Sequence, residues 1–135
     1  MYKAAAAHGR PVAEIIMADV RIVESEAELF ERAAAFVRDH AQKAVDNKRA
    51  CSVALSGGST PRQLFELLVS EPWRRTMPWR QMHVFWGDER CVPPDHQDSN
   101  YRMARQAMLD HVSIPPVQVH RMAGEHADPA AAAAE

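Results

Sequence analysis

The sequence is short of the features that most quickly place a protein in a class. It has only two cysteines, Cys51 and Cys91, far apart and without a C-x-x-C partner, so neither a zinc framework nor a disulfide scaffold follows, and a reduced, cytoplasmic setting is expected. No stretch approaches the roughly 18 apolar residues of a membrane span. The N-terminus carries Lys3 and a short alanine run but no long apolar core, which argues against a signal peptide. An excess of positive charge is also missing. The formal net charge is −2 and the pI about 6.4, which gives no electrostatic footprint for nucleic acid and means that any anionic ligand is small and locally bound. There is no G-x-G-x-x-G or G-x-x-x-x-G-K-[ST] fingerprint, which argues against dinucleotide and nucleoside-triphosphate binding. No G-x-S-x-G elbow supports a serine nucleophile. The seven histidines include no H-x-x-x-H pair and no cysteine partner, so no metal site is expected.

What is present is the composition of one soluble globular domain: 135 residues, 47% hydrophobic and 25% charged. Residues 1–13 read as a flexible arm and 14–135 as the domain. Ile15-Ile16-Met17 and Val20 to Val23 suggest extended segments near a sheet edge. Ser25 to Glu28 is an S-x-x-E capping box, and Leu29, Phe30, Ala33, Phe36, Val37, Ala41, Ala44 and Val45 keep helical spacing. This predicts an amphipathic helix from about Glu26 to Asp46 with Asn47 as its stop. Cys51 to Leu55 is too short for a helix and reads as a buried parallel strand. The next helix buries Leu64, Phe65, Leu67 and Leu68 and ends by Glu71-Pro72. A connection with Trp73 and Trp79 packed on a helix end leads to a second strand, Met82 to Trp86. Asp98 or Ser99 then caps a helix to about Asp110, and Val117 to Arg121 reads as a third strand. Asp128-Pro129 opens a further helix only a few residues before Glu135, the pattern of an incomplete domain.

Two loops carry the candidate chemistry. In Ser56-Gly57-Gly58-Ser59-Thr60-Pro61 a strand runs through flexible residues into hydroxyls and a proline, the arrangement of a phosphate cradle at a helix N-terminus. Thr60 is the expected N-cap, Pro61 the first helical residue, and Gln63 the end of a T-x-x-Q box. Gly57 and Gly58 would let bare N–H groups approach an anion. An ordinary strand-to-helix turn fits the same residues equally well. The second loop, Gly87-Asp88-Glu89-Arg90, leaves the C-terminal end of the next strand, where ligands bind in open α/β sheets. Asp88 there could take or hold a proton, and Arg90 could clamp phosphate or an oxyanion through its planar fork, with Glu89 structural. A solvated loop with a local ion pair is the plainer alternative. His83 and His120 fall on strands, where a satisfied buried imidazole is expected.

Taken together, Ala54-Leu55-Ser56-Gly57-Gly58-Ser59-Thr60-Pro61, Gly87-Asp88-Glu89-Arg90 with Val92-Pro93, Ser99-Asn100-Tyr101, His111-Val112, Ile114-Pro115 and Val119-His120-Arg121 resemble the 6-phosphogluconolactonase family in order and spacing. The resemblance covers roughly Val20 to Glu125. It implies a three-layer α/β sandwich with a Rossmann-like, mostly parallel sheet, of which this chain is the N-terminal portion. It implies hydrolysis of 6-phosphoglucono-δ-lactone in the pentose phosphate pathway, without metal or organic cofactor and with a sugar phosphate as partner rather than nucleic acid or membrane. Ser56, Gly57, Gly58, Ser59 and Thr60 then take phosphate and sugar contacts, Asp88 positions the base or water, and Arg90 holds phosphate or oxyanion. Family members continue to a glycine-rich stretch with an Asp-Gly-His triplet whose histidine is the expected general base, and no such triplet occurs in these 135 residues. Asp95-His96-Gln97-Asp98 also departs from the more usual acidic pair and proline. A sugar-phosphate isomerase or deaminase of the same fold is one alternative, although those deaminases carry tyrosine where this chain has Arg90. A non-catalytic sugar-phosphate sensor is the other. The oligomeric state is left open.

Overall fold

In the computed structural model of the chain, residues 19–126 and 128 are described. The expectations for the N-terminal arm, for Ile15-Ile16-Met17 and for the helix opened by Asp128-Pro129 lie outside the described residues.

Helix α1, Glu26–Lys48, starts where the capping signal predicts: the Ser25 hydroxyl accepts the Glu28 N–H at 3.2 Å. The Glu28 carboxylate reaches back to the Glu24 N–H at 3.2 Å, one residue earlier than a capping box would place it. The helix passes through Asn47 and stops only at Arg49, which sits at φ 64° and donates its N–H to the Val45 carbonyl at 2.7 Å. Ala34 and Ala41 are its buried residues.

Strands β1, Cys51–Leu55, and β2, Met82–Trp86, pair in parallel from Cys51 opposite Met82 to Leu55 opposite Trp86. Between them come helix α2, Ser59–Leu68, a short helix α3, Trp73–Thr76, and a 3-10 turn at Trp79–Gln81. Because strand residues alternate between faces, Met82, Val84 and Trp86 enter one core with Leu55, Phe65, Leu68, Trp73, Trp79 and Met108. Both tryptophans of the connection are buried there. Trp79 donates its indole N–H to the Arg74 carbonyl at 2.8 Å, and Trp73 lies under the Arg38 guanidinium, 5.2 Å from ring centroid to Cζ.

The opposite face of the pair carries Ser52, Ala54, His83 and Phe85 and is largely open among the described residues. His120 leans on it, stacked on Phe85 with centroids 4.3 Å apart. Its ring nitrogen Nε2 is 3.1 Å from Nδ1 of His83. These imidazoles satisfy each other, but His120 is exposed and His83 half-buried, not buried as the sequence suggests. Among the described residues no three His, Cys, Asp or Glu side chains gather as a metal ion would require.

Helix α4, Asn100–Ala107, has Ser99 as N-cap, its hydroxyl accepting the Arg102 N–H at 3.1 Å, and is followed by a 3-10 turn at Leu109–His111. The third strand is much shorter than the Val117 to Arg121 run predicts. Pro115 and Pro116 bring no N–H donors, and a 3-10 turn at Pro116–Gln118 takes up the next residues. Only Val119 remains to bridge Val84 in parallel, with the His120 N–H on the Val84 carbonyl at 2.8 Å. Val20 to Val23 form no strand. Val20 and Ile22 are 78% and 91% exposed, since no neighbouring strand among the described residues offers them a ladder. No helix among the described residues is long and apolar enough to cross a membrane.

Candidate functional site

The parallel register brings both candidate loops to the same edge. Leu55 and Trp86 are paired, and the Gly87 N–H continues the ladder onto the Leu55 carbonyl at 2.9 Å. Ser56 and Gly87 therefore leave the sheet side by side at the carboxyl ends of β1 and β2, the edge that open α/β sheets use for ligands.

In the first loop the helix begins earlier than the sequence suggests. Gly58, not Thr60, is the N-cap of α2, no side chain caps that end, and the T-x-x-Q box does not form. Gly58 adopts φ 104°, a conformation closed to ordinary L residues, and that geometry lets the chain enter the helix two residues sooner. The Arg62 N–H takes the Gly58 carbonyl at 3.2 Å. Pro61 thus sits at the third helical position, where its missing N–H is still one of the unpaired donors. The exposed Ser59 and Thr60 keep their hydroxyls free of a capping role. An uncapped first turn, positive in its dipole, suits an anion better than the capped turn would.

The two glycines have different reasons. A Cβ on Gly58 would meet only the Pro61 ring, at 3.9 Å, so its requirement is conformational. A Cβ on Gly57 would overlap the side-chain carboxamide of Asn100, whose Nδ2 would lie at 2.8 Å. Gly57 has no side chain because Asn100 fills the place one would take, a requirement of packing beside the N–H approach expected of both glycines.

The second loop is fastened from several sides. Glu89 is structural, as expected. One of its carboxylate oxygens accepts the Asn100 N–H at 2.7 Å and the Arg90 N–H at 2.8 Å. The other accepts the Tyr101 N–H at 2.8 Å and the Ser99 hydroxyl at 3.1 Å. This places a carboxylate on the first turn of α4, where the dipole favours it. The Asn100 carboxamide donates to the Asp88 carbonyl at 3.1 Å. Gly124 presses against the backbone of the same loop, where a Cβ would overlap the Arg90 carbonyl and lie 3.0 Å from that of Val92. Asp88 and Arg90 are exposed, and neither side chain is held in an ion pair among the described residues. Neither Asn100 nor Gly124 stands out in the sequence as a residue of the site. Asn100 is visible only as part of a recognised triplet, and nothing in spacing or polarity tells that its side chain joins two loops.

Beside α4, Arg121 lies 6.0 Å from the Tyr101 ring centroid and pairs with Glu125, its Nη1 on Oε2 at 2.9 Å. Hydrogen bonding to that guanidinium pulls the Glu125 carboxyl down to about 2. A depressed carboxylate contributes above its ordinary pKa of 4.5 and loses that contribution as pH falls through the folded value. The turn is therefore expected to hold at pH 5 and to loosen only near pH 2. A carbonyl-carbon titration of Glu125 by NMR reads this directly, and an ordinary midpoint near 4.5 would contradict the pairing.

Residues 24–135 match the family model for glucosamine-6-phosphate isomerases and 6-phosphogluconolactonase. The chain belongs to that family. It is 48% identical over 101 residues to a 6-phosphogluconolactonase of Synechocystis, covering 75% of this chain and 40% of that protein. To the 6-phosphogluconolactonase of Nostoc it is 39% identical over 116 residues, 86% of this chain and 47% of the relative. Among solved structures, the 6-phosphogluconolactonase from Trypanosoma brucei superposes with a TM-score of 0.67 at 30% identity, covering 82% of this chain and 41% of that one. The fold is the Rossmann-like α/β fold of these enzymes. A monomeric glucosamine-6-phosphate deaminase at 18% identity and a TM-score of 0.70 shares that fold. The chain spans less than half the length of the Synechocystis and Nostoc proteins.

Proposed function

We propose that the chain carries the sugar-phosphate seat of a 6-phosphogluconolactonase, the enzyme that opens 6-phosphoglucono-δ-lactone to 6-phosphogluconate. The observation that carries this reading is the juxtaposition at one sheet edge of an uncapped helix N-terminus, at Gly58 to Thr60, with the exposed Asp88 and Arg90.

On this reading the N–H groups of the first turn of α2 and the hydroxyls of Ser56, Ser59 and Thr60 take the phosphate and nearby sugar oxygens. Gly57 and Gly58 shape the turn. Arg90 supplies a planar, permanently charged fork for phosphate or for the oxyanion formed when water adds to the lactone carbonyl. Asp88 positions the attacking water or the base that activates it. The tetrahedral intermediate then expels the ring oxygen, which leaves with a proton as the carboxylic acid forms. The base itself is assigned to an Asp-Gly-His triplet that these 135 residues do not contain. A cytoplasmic setting is part of the proposal.

The expected result is that the chain binds 6-phosphogluconate weakly and opens the lactone no faster than buffer, while a longer version carrying the triplet turns it over. Lactone hydrolysis by the two, measured side by side as acid release, checks this. Equal rates would remove the need for a base outside these residues, and ammonia release from glucosamine 6-phosphate by the longer version would favour the deaminase alternative.

A further inference from the structure

Beyond the strand ends, one side chain joins the two loops of the site. Asn100 is 6% exposed. Its carboxamide occupies the volume a Cβ on Gly57 would need and donates to the Asp88 carbonyl at 3.1 Å. Its own backbone N–H is fixed on Glu89 at 2.7 Å. The residue therefore touches the phosphate loop on one side and the Asp88 loop on the other, while its Cα is anchored at the head of α4.

Resting on the proposed sugar-phosphate seat, we propose that Asn100 is a positioning residue that sets the distance between the two loops, so that a ligand's phosphate and its far end are held at the same time. Packing against Gly57 keeps the loops from closing, and the hydrogen bond to Asp88 keeps them from opening. A ligand that uses only the α2 turn does not depend on this spacing. One that spans from Ser59 and Thr60 to Asp88 and Arg90 does. Small errors of placement at such sites are costly out of proportion to their size.

This separates Asn100 from a residue that merely stabilises the fold. In Asn100→Ala, binding of 6-phosphogluconate by the present chain is expected to weaken about tenfold, the equivalent of one lost hydrogen bond of roughly 1.4 kcal/mol, while inorganic phosphate binds as before. Asn100→Leu keeps a side chain of similar size against Gly57 and adds no charge beside the seat, but it loses the donor to the Asp88 carbonyl, and the same split is expected. It decides the matter if the alanine variant does not fold. Both ligands are followed by NMR titration of the backbone amides. Equal weakening of both ligands, or no change in either, would overturn the positioning role. Failure of the unaltered chain to bind either ligand would overturn the seat itself, and the proposal with it.

Discussion

Truncating Glu89 to alanine is expected to lower the unfolding free energy by roughly 3 kcal/mol and to release both loops of the site. Four donors converge on that one carboxylate: the N–H groups of Arg90, Asn100 and Tyr101 and the hydroxyl of Ser99. Loss of a helix-capping acceptor alone costs about 1 kcal/mol, and each buried donor left without a partner adds about 1 to 3 kcal/mol. Ser99 and Asn100 are the buried polar residues of the chain's described part, so water reaches them poorly once the carboxylate is gone. Glu89→Gln is expected to fall between, since it keeps one carbonyl oxygen but turns an amide N–H₂ toward donors. Urea midpoints of the three proteins measure the order. A loss below about 1 kcal/mol in the alanine variant would mean that α4 is held by its packing on α2 and not by this cap.

The second large effect is expected at Gly57. Its alanine variant places a methyl group in the space of the Asn100 carboxamide. The carboxamide cannot yield without giving up the Asp88 carbonyl, and overpacking of this kind costs about 1 to 3 kcal/mol. Gly57→Ala is therefore expected to be destabilised and to lose ligand binding, while the double variant Gly57→Ala, Asn100→Ala recovers most of the stability but not the binding. A coupling of that sign is the signature of direct contact. Gly58→Ala should differ, because its Cβ would make only an ordinary contact with the Pro61 ring at 3.9 Å and the strain lies in the φ of 104°. Its cost should be about 1 to 3 kcal/mol, the strain of a side chain in a backbone region confined to glycine, and should not depend on Asn100. Additive effects of the Gly57 and Asn100 changes would show that they do not share the space.

The contrast between these glycines shows what was legible in the sequence. Apolar runs and turn residues located β1, β2 and the two loops at their ends, because strand burial and punctuation are local properties. The cap of α1 was legible for the same reason. The start of α2 was not: Thr60-Pro61 carries the stronger local signal, but the positive φ of Gly58 lets the helix begin before it. The third strand was overread, since Val117 to Arg121 has strand composition while Pro115 and Pro116 turn the backbone into a 3-10 turn that leaves Val119 alone on the sheet. The link from Gly57 through Asn100 to Asp88 is a contact between distant segments, and no periodicity encodes it. The family motif held all three residues without saying that they touch.

The most direct test of the central claim is a titration of the 135-residue chain with 6-phosphogluconate, followed through its backbone amides. The predicted result is saturable shifts, at millimolar ligand, of the Gly57, Gly58, Ser59 and Thr60 amides together with those of Gly87 to Arg90. Shifts confined to other parts of the chain, or none at these residues, would contradict a sugar-phosphate seat at this edge.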